Sequence, residues 1–345
     1  MHLDDLGKFF PRCGKPGNKT LLAIMASSKN VVDACINVTK LTKIPSQLVC
    51  TRRQVECDEL GGGYVNNWTT EKFAEYVKSQ GVEDRLILTR HGGLWQRHAE
   101  AAFSPTKALN ASVKSFLTDV EAGFDVLHVD ALHSRKHIEK IVSACEDLGK
   151  NVSYECGSMP AESFEDLVKF CSELTPKIKF VSGDTGTQVK DMRNVGKYDN
   201  KHARALVETC NKHNIWFKAN DVDYVDLISL KDYPDAGIHA ATLSLELSAA
   251  ETVKLLELLD RFKLKKEKKR FLEIAYDSKK WEKWVTSKLS SQEKSTICGH
   301  YVYDVPEVVD IRYKLGKLMP HMDDVLQTEI TTHILKYMRA FAWLH

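Results

Sequence analysis

The sequence has no excess of one charge: 49 lysines and arginines stand against 47 aspartates and glutamates, a net +2 with histidine neutral. Binding nucleic acid through bulk charge needs a strongly basic face, so no nucleic-acid partner is expected. No apolar run approaches the roughly 18 residues that cross a bilayer, and no membrane partner is expected either. The opening Met1-His2-Leu3-Asp4-Asp5 has neither the basic leader nor the apolar core of a signal peptide. No two of the nine cysteines form a CxxC pair, and their number is odd. A chain of 345 residues does not depend on disulfides for its stability. Cysteines such as Cys50 and Cys171 stand in apolar stretches, where the thiol behaves as a small buried hydrophobe. Together these absences point to a reduced cytoplasm. Internal repeats and low-complexity tracts are also missing.

What is present is an ordinary folding composition, 43% hydrophobic and 28% charged, which excludes wholesale disorder. Short apolar runs at 21–26, 47–50, 85–88, 126–129, 152–154, 178–181, 215–218 and 237–240 alternate with helical patterns. The helical patterns include 70–80, 111–122, 134–148, 163–174, 201–213 and 248–262. Runs this short, separated by helices, read as buried parallel strands. Thr69 and Ser163 are plausible helix starts, and Gly81, Gly123 and Gly149 plausible helix ends. Eight such units predict an α/β fold, a (β/α)8 TIM barrel, over residues 1–262 with a short N-terminal arm. An open doubly wound sheet is disfavoured, because Ser27-Ser28-Lys29-Asn30 follows the first strand where a glycine-rich dinucleotide turn would stand. Residues 263–345 are expected to be a C-terminal helical extension. The basic run over 261–270 is expected to be a solvated helix end or connector.

In such a barrel the chemistry sits at the C-terminal strand ends. Polar residues recur at nearly all of them, more densely than stability alone needs. His91 can ligate a metal or transfer protons. His128 and Asp130, two residues apart, share one face of their strand and form an acid–base pair unless one only fills space. Glu155 ends an apolar run, where a carboxylate needs a metal or a cation beside it. His133 and His137 have helix-face metal spacing but no third ligand nearby. The loop holding Asp184 and Thr185 can cradle an anion or be an ordinary turn. Gly61-Gly62-Gly63-Tyr64 is a lid or a plain linker. Lys218 can form a Schiff base. Nothing in the sequence argues for a lowered pKa there, so anchoring of a phosphate or carboxylate is the reading taken. Arg53, Gln54, Arg90, Asn220 and His239 complete the candidate anion-binding set.

Several segments, in order, also resemble a family. They are Gln54-Val55 with Gly62-Gly63-Tyr64 and Phe73; 85–88 leading to His91 and Trp95-Gln96; and Ala122-Gly123-Phe124 with His128-Val129-Asp130-Ala131. Asp221-Val222-Asp223-Tyr224, Asp310-Ile311-Arg312-Tyr313 and Pro320-His321 follow. In this series the chain resembles the Z-type, so-called non-catalytic, subunits of class II tagatose-bisphosphate aldolase. The resemblance implies a barrel related to zinc-dependent class II aldolases, in which the metal polarises a ketose carbonyl during carbon–carbon cleavage. It implies a divalent metal, zinc by preference, with His91 and Glu155 as candidate ligands. A sugar phosphate would be the small-molecule partner, with a separate catalytic aldolase subunit or a second copy of the chain as protein partner. The sequence departs from the family where Arg90 replaces an aspartate before His91 and where Asn220 replaces a ligand histidine. The expectations are therefore an enzyme on an anionic sugar, aldolase-like or an epimerase, with His91, Asp130 and Glu155 as its catalytic groups, or an accessory subunit.

Overall fold

Strands too short and apolar to face solvent must be covered on both sides. The computed structural model describes residues 6–8, 18–130, 134–157 and 163–344. In chain order the strands are β1 (Leu21–Met25), β2 (Ser46–Thr51), β3 (Leu86–Gly92), β4 (Val126–Val129), β5 (Ser153–Cys156) and β6 (Ile178–Gly183). They continue with β7 (Val189–Lys190), β8 (Arg193–Asn194), β9 (Trp216–Ala219) and β10 (Ala240–Leu243). All but β7 and β8 pair in parallel and close into an eight-stranded barrel. The expected (β/α)8 barrel with C-terminal helices is the fold. β7 and β8 form an antiparallel hairpin in the loop after β6, each too short to leave a periodic signal in the sequence.

The helices between strands are α1 (Lys29–Thr42), α2 (Thr70–Ser79), α3 (Pro105–Ala122) and α4 (Arg135–Glu146). They are followed by α5 (Phe164–Leu174), α6 (Asn200–Lys212), α7 (Leu227–Ala236) and α8 (Leu245–Arg261). Thr69 and Ser163 cap α2 and α5 by accepting from backbone N–H groups of Lys72 and Asp166, satisfying donors the helix cannot use. Gly123 ends α3 at φ 84°, a left-handed conformation that suits glycine. Two helices were not evident from pattern. α1 is rich in Val, Ile, Asn and Thr, weak helix formers, and is held by the Ser28 cap and the burial of Val31, Val32, Ile36 and Val38. α7 carries Pro234 in its last turn.

Alternation along each strand sends one set of side chains inward. Leu6, Leu21, Ile87, Val126, Phe180 and Ala240 plug the N-terminal end of the barrel, with Ala23, Met25 and Val49 layered above. Gln47 and Thr89 are buried in register with Ala23 and Val49 of that layer.

The extension contains α9 (Lys265–Asp277), α10 (Ser291–Cys298), α11 (Pro306–Leu318) and α12 (Met322–Ala340). The second half of α8, including Leu255 and Leu259, packs with Phe271, Val308 and Ile311 in a separate apolar cluster. α12 returns to the barrel, where Ile330, Ile334, Met338 and Phe341 join its main core. Buried Glu246 clamps this return: it accepts from Tyr224 N at 2.6 Å, and His333 Nδ1 and Tyr337 Oη lie 2.8 and 2.5 Å from it. The basic run lies at the junction of α8 and α9, where Lys268 pairs with Asp260 and Arg270 with Glu307. No helix among the described residues is long and apolar enough to cross a membrane.

Candidate active site at the barrel mouth

The parity of each strand decides which polar residues meet. In β3, His91 points into the barrel and its neighbour Arg90 therefore points out. Parallel register sets His91 beside His128 of β4, and His128 beside Glu155 of β5. Across the barrel, Ser182 of β6 pairs with Lys218 of β9. The His91 and His128 rings stack with centroids 4.1 Å apart and planes 14° apart. His128 Nδ1 stands 2.7 Å from Glu155 Oε1, off the line of a hydrogen bond. Lys218 Nζ donates to Glu155 Oε2 at 2.9 Å. His91 Nε2 lies 3.7 Å from Asp130 Oδ2.

Burial and neighbouring groups set the protonation of Glu155 and His91. Burial alone would raise the Glu155 pKa, but the Lys218 and His128 charges overcome it and hold the carboxyl down at about 2. His91 is also shifted down, but here burial is the cause. Burial, and then His128, push it below the ordinary 6.5 against the opposing pull of Asp130 and Glu155. At neutral pH the His91 imidazole is therefore uncharged and has a lone pair available for a proton.

His91, His128, Asp130 and Lys218 line a cavity of about 650 Å³, floored by Met25 and Val49 and walled by Thr51, Gln54, Asn220 and Thr242. Gln54 is held in place by accepting from Thr51 N at 2.7 Å. Arg53, hydrogen-bonded to Gln96 O, stands at the rim. The Ser27 and Ser182 hydroxyls face this space, are buried, and have no protein partner. Of the candidates read from the sequence, His91, Asp130, Arg53, Gln54, Lys218 and Asn220 thus converge on one mouth, and Glu155 lies beneath it, reached through Lys218 and His128.

Four do not. Arg90 is fully buried in the barrel wall, where it donates to both oxygens of Asp119, to the carbonyls of Thr51 and Val55 and to Thr70 Oγ1. No part of it is left for a ligand. Asp184 and Thr185 lie beyond the end of β6 outside the mouth; Asp184 accepts from Gly186 N at 2.8 Å in a local turn, and Thr185 is buried against Thr187. His239 was misplaced by a strand read three residues early. β10 begins at Ala240, so His239 sits at the opposite end of the barrel, its Nδ1 accepting from Phe217 N at 3.0 Å and its pKa driven down to about 3 by burial. His133 lies outside the described residues, which leaves its pairing with His137 of α4 without structural account.

The donor set does not fit a metal. Glu155 is engaged by the Lys218 ammonium, where a cation would have to displace it. The two histidines stack face to face and do not converge on a point. Among the described residues no group of three or more potential ligands is placed to hold an ion.

The extension adds what the sequence reading missed. Lys283, Trp284, His300 and Tyr301 line the mouth from 3-10 turns at Glu282–Trp284 and Gly299–Val302. His300 is buried with its Nδ1 unpartnered, and burial followed by the Lys283 charge lowers its pKa to about 3. Such turns leave no periodicity. The only signal was a concentration of aromatic residues beside lysines.

The Arg90–Asp119 pair makes a testable demand on the wall behind the site. Asp119→Ala strands a buried guanidinium and is expected to cost about 3–5 kcal/mol of unfolding free energy by urea denaturation. A loss below 1 kcal/mol would show that Arg90 is free to turn elsewhere.

No protein-family model matches the sequence, and no curated protein matches it. Solved structures do match. A probable tagatose 6-phosphate kinase from Sinorhizobium meliloti superposes with a TM-score of 0.74 at 16% identity, over 93% of this chain and 100% of that one. The fructose-bisphosphate aldolase of Campylobacter jejuni does so with a TM-score of 0.59 at 10% identity, over 99% and 95%. The YdjI aldolase of Escherichia coli K12 gives a TM-score of 0.53 at 10% identity, over 94% and 91%. At these identities the likeness establishes a shared fold, the TIM barrel.

Proposed function

We propose that the protein is an enzyme acting on a phosphorylated or otherwise anionic sugar, through aldolase-type carbon–carbon cleavage or condensation or through an epimerisation with the same carbanion chemistry. The observation that carries this reading is an uncharged His91 facing the same cavity as an anchored Lys218 ammonium. His91 removes a proton from a substrate hydroxyl or from carbon next to a carbonyl. Lys218, fixed by Glu155, stabilises the negative charge that develops on the carbonyl oxygen. Asp130 stabilises the imidazolium that His91 becomes. Arg53 and Asn220 hold the anionic group of the substrate. The described names of the structural neighbours, two aldolases and a sugar-phosphate kinase, support the substrate class. Zinc, expected from the resemblance, has no step in this reading because the donors do not form a ligand set.

The test is exchange of substrate hydrogens with deuterated water, followed by NMR over a panel of ketose and aldose phosphates, together with product detection. Exchange next to the carbonyl of at least one sugar phosphate is the expected result. No exchange and no turnover across the panel would overturn the reading. A chain silent in that assay but required by a separate aldolase would fit an accessory subunit instead. The diversion of Arg90 into the wall, at the position of a family aspartate, is the observation favouring that second reading.

A further inference from the structure

The mouth continues sideways into a second recess of about 620 Å³. Its walls are the glycine loop at 61–63 after β2, the Arg97-His98 turn after β3, and Lys279, Lys280, Glu282 and Lys283 of the extension. Arg53, Tyr64, Lys283 and Tyr301 border both spaces. The loop is shaped for this position: a Cβ on Gly63 would stand 2.1 Å from Gln54 O, so only glycine lets the chain pass so close.

The recess is concentrated positive charge in a protein that is nearly neutral overall. Arg53, Arg97, Lys279, Lys280 and Lys283 face it against the single carboxylate of Glu282. Among the described residues none of these five cations forms an ion pair with a carboxylate. Arg97 donates to Gly62 O at 2.7 Å, which fixes its guanidinium on the loop. Lys280 Nζ lies 2.8 Å from His98 Nε2, and the Lys283 ammonium sits 4.5 Å from the Trp284 ring centroid. The cations crowd one another. Lys280 is lowered by burial and then by Arg53 and Lys283, and His98 is lowered chiefly by Lys280. Desolvation at the rim, followed by Arg53 and Lys190, brings Lys283 down to about 8. Like charges held together without counter-charge are unfavourable by themselves, and a bound anion relieves all of them at once.

We propose that this recess is an anion subsite separate from the reacting centre, built for a multiply charged phosphate group. Two sources share that chemistry: a distal phosphate of the substrate in the mouth, and free phosphate acting as an effector. The first source rests on the sugar-phosphate reading above; binding itself does not.

The probe is pyrophosphate, titrated calorimetrically into the full chain at pH 7. The Arg97→Gln/Lys280→Gln double variant is expected to bind it at least tenfold more weakly than the unaltered protein. A Lys201→Gln variant on α6, away from the recess, is expected to bind unchanged. Equal affinity in the double variant, with its melting temperature preserved, would overturn the proposal, as would an equal loss in the Lys201 variant, which signals bulk charge. The sources separate once a substrate is found. A rise in KM in the double variant for a doubly phosphorylated sugar, but not for its monophosphate, identifies the distal group. A change in kcat for both substrates on adding phosphate, lost in the double variant, identifies the effector. Because the titration needs no turnover, failure of the catalytic reading leaves its result intact.

Discussion

Glu155→Gln is expected to lower the unfolding free energy by about 3–5 kcal/mol at pH 7, the usual cost of stranding one member of a buried ion pair. Glu155 is fully buried, and Lys218 is 2% exposed with its ammonium 2.9 Å away. Without the carboxylate charge, Lys218 must remain as an unpaired buried cation or lose its proton. Giving up a proton from an ordinary lysine pKa near 10.4 costs about 4–5 kcal/mol at pH 7, which sets the ceiling on the effect. The sign with pH follows. In the native protein the Glu155 carboxyl, held at about 2 against an ordinary 4.5, contributes stability that is complete above about 4.5 and disappears as pH falls toward 2. In the variant the unfolded chain binds more protons at Lys218 than the folded chain, so stability recovers as pH rises toward 10. Urea denaturation at pH 7 and pH 9.5 should show the gap from the unaltered protein narrowing. Adding Lys218→Met should restore much of the loss. A gap below 1 kcal/mol at pH 7, or one that widens with pH, would mean the pair is not a buried charge pair in solution.

His91→Ala is expected to reduce the proposed turnover by about 10²–10⁴, the range typical of losing a positioned acid–base group. The side chain is 31% exposed, so its removal should leave the melting temperature nearly unchanged and separate chemistry from folding. Its pKa lies below 6.5, so the rate of the unaltered enzyme should be level at and above pH 7 and fall only on the acid side of 6.5, where the imidazole becomes charged. That acid limb should vanish from whatever activity the variant keeps. A rate within threefold of the original, or an acid limb that survives the substitution, would remove His91 from the mechanism.

How much of this was legible depends on which interaction fixed each residue. That His128 and Asp130 face the same mouth followed from spacing alone, because residues two apart on a strand share a face, but their partners, Glu155 and His91, come from neighbouring strands. The same rule bars Arg90 and His91 from both entering the mouth, and the buried Asp119 partner that captures Arg90 lies 29 positions further along the chain. His239 illustrates the other failure. A three-residue error in a strand boundary moves a side chain from one end of a barrel to the other, and apolar runs set boundaries poorly. The ammonium partner of Glu155 was anticipated in kind, as a metal or a cation. Lys218 is 63 residues away in sequence, so only closure of the barrel could name it.

By itself the sequence determined the eight-unit barrel, the helices beyond it and the identity of most strand-end polar groups, because these rest on local periodicity and on parity within one strand. Only the tertiary structure decided which of those groups meet, that Glu155 is engaged by an ammonium, and that the extension returns to wall the mouth with Lys283, Trp284, His300 and Tyr301. Those outcomes come from contacts between segments far apart in the chain, and periodicity carries no information about them.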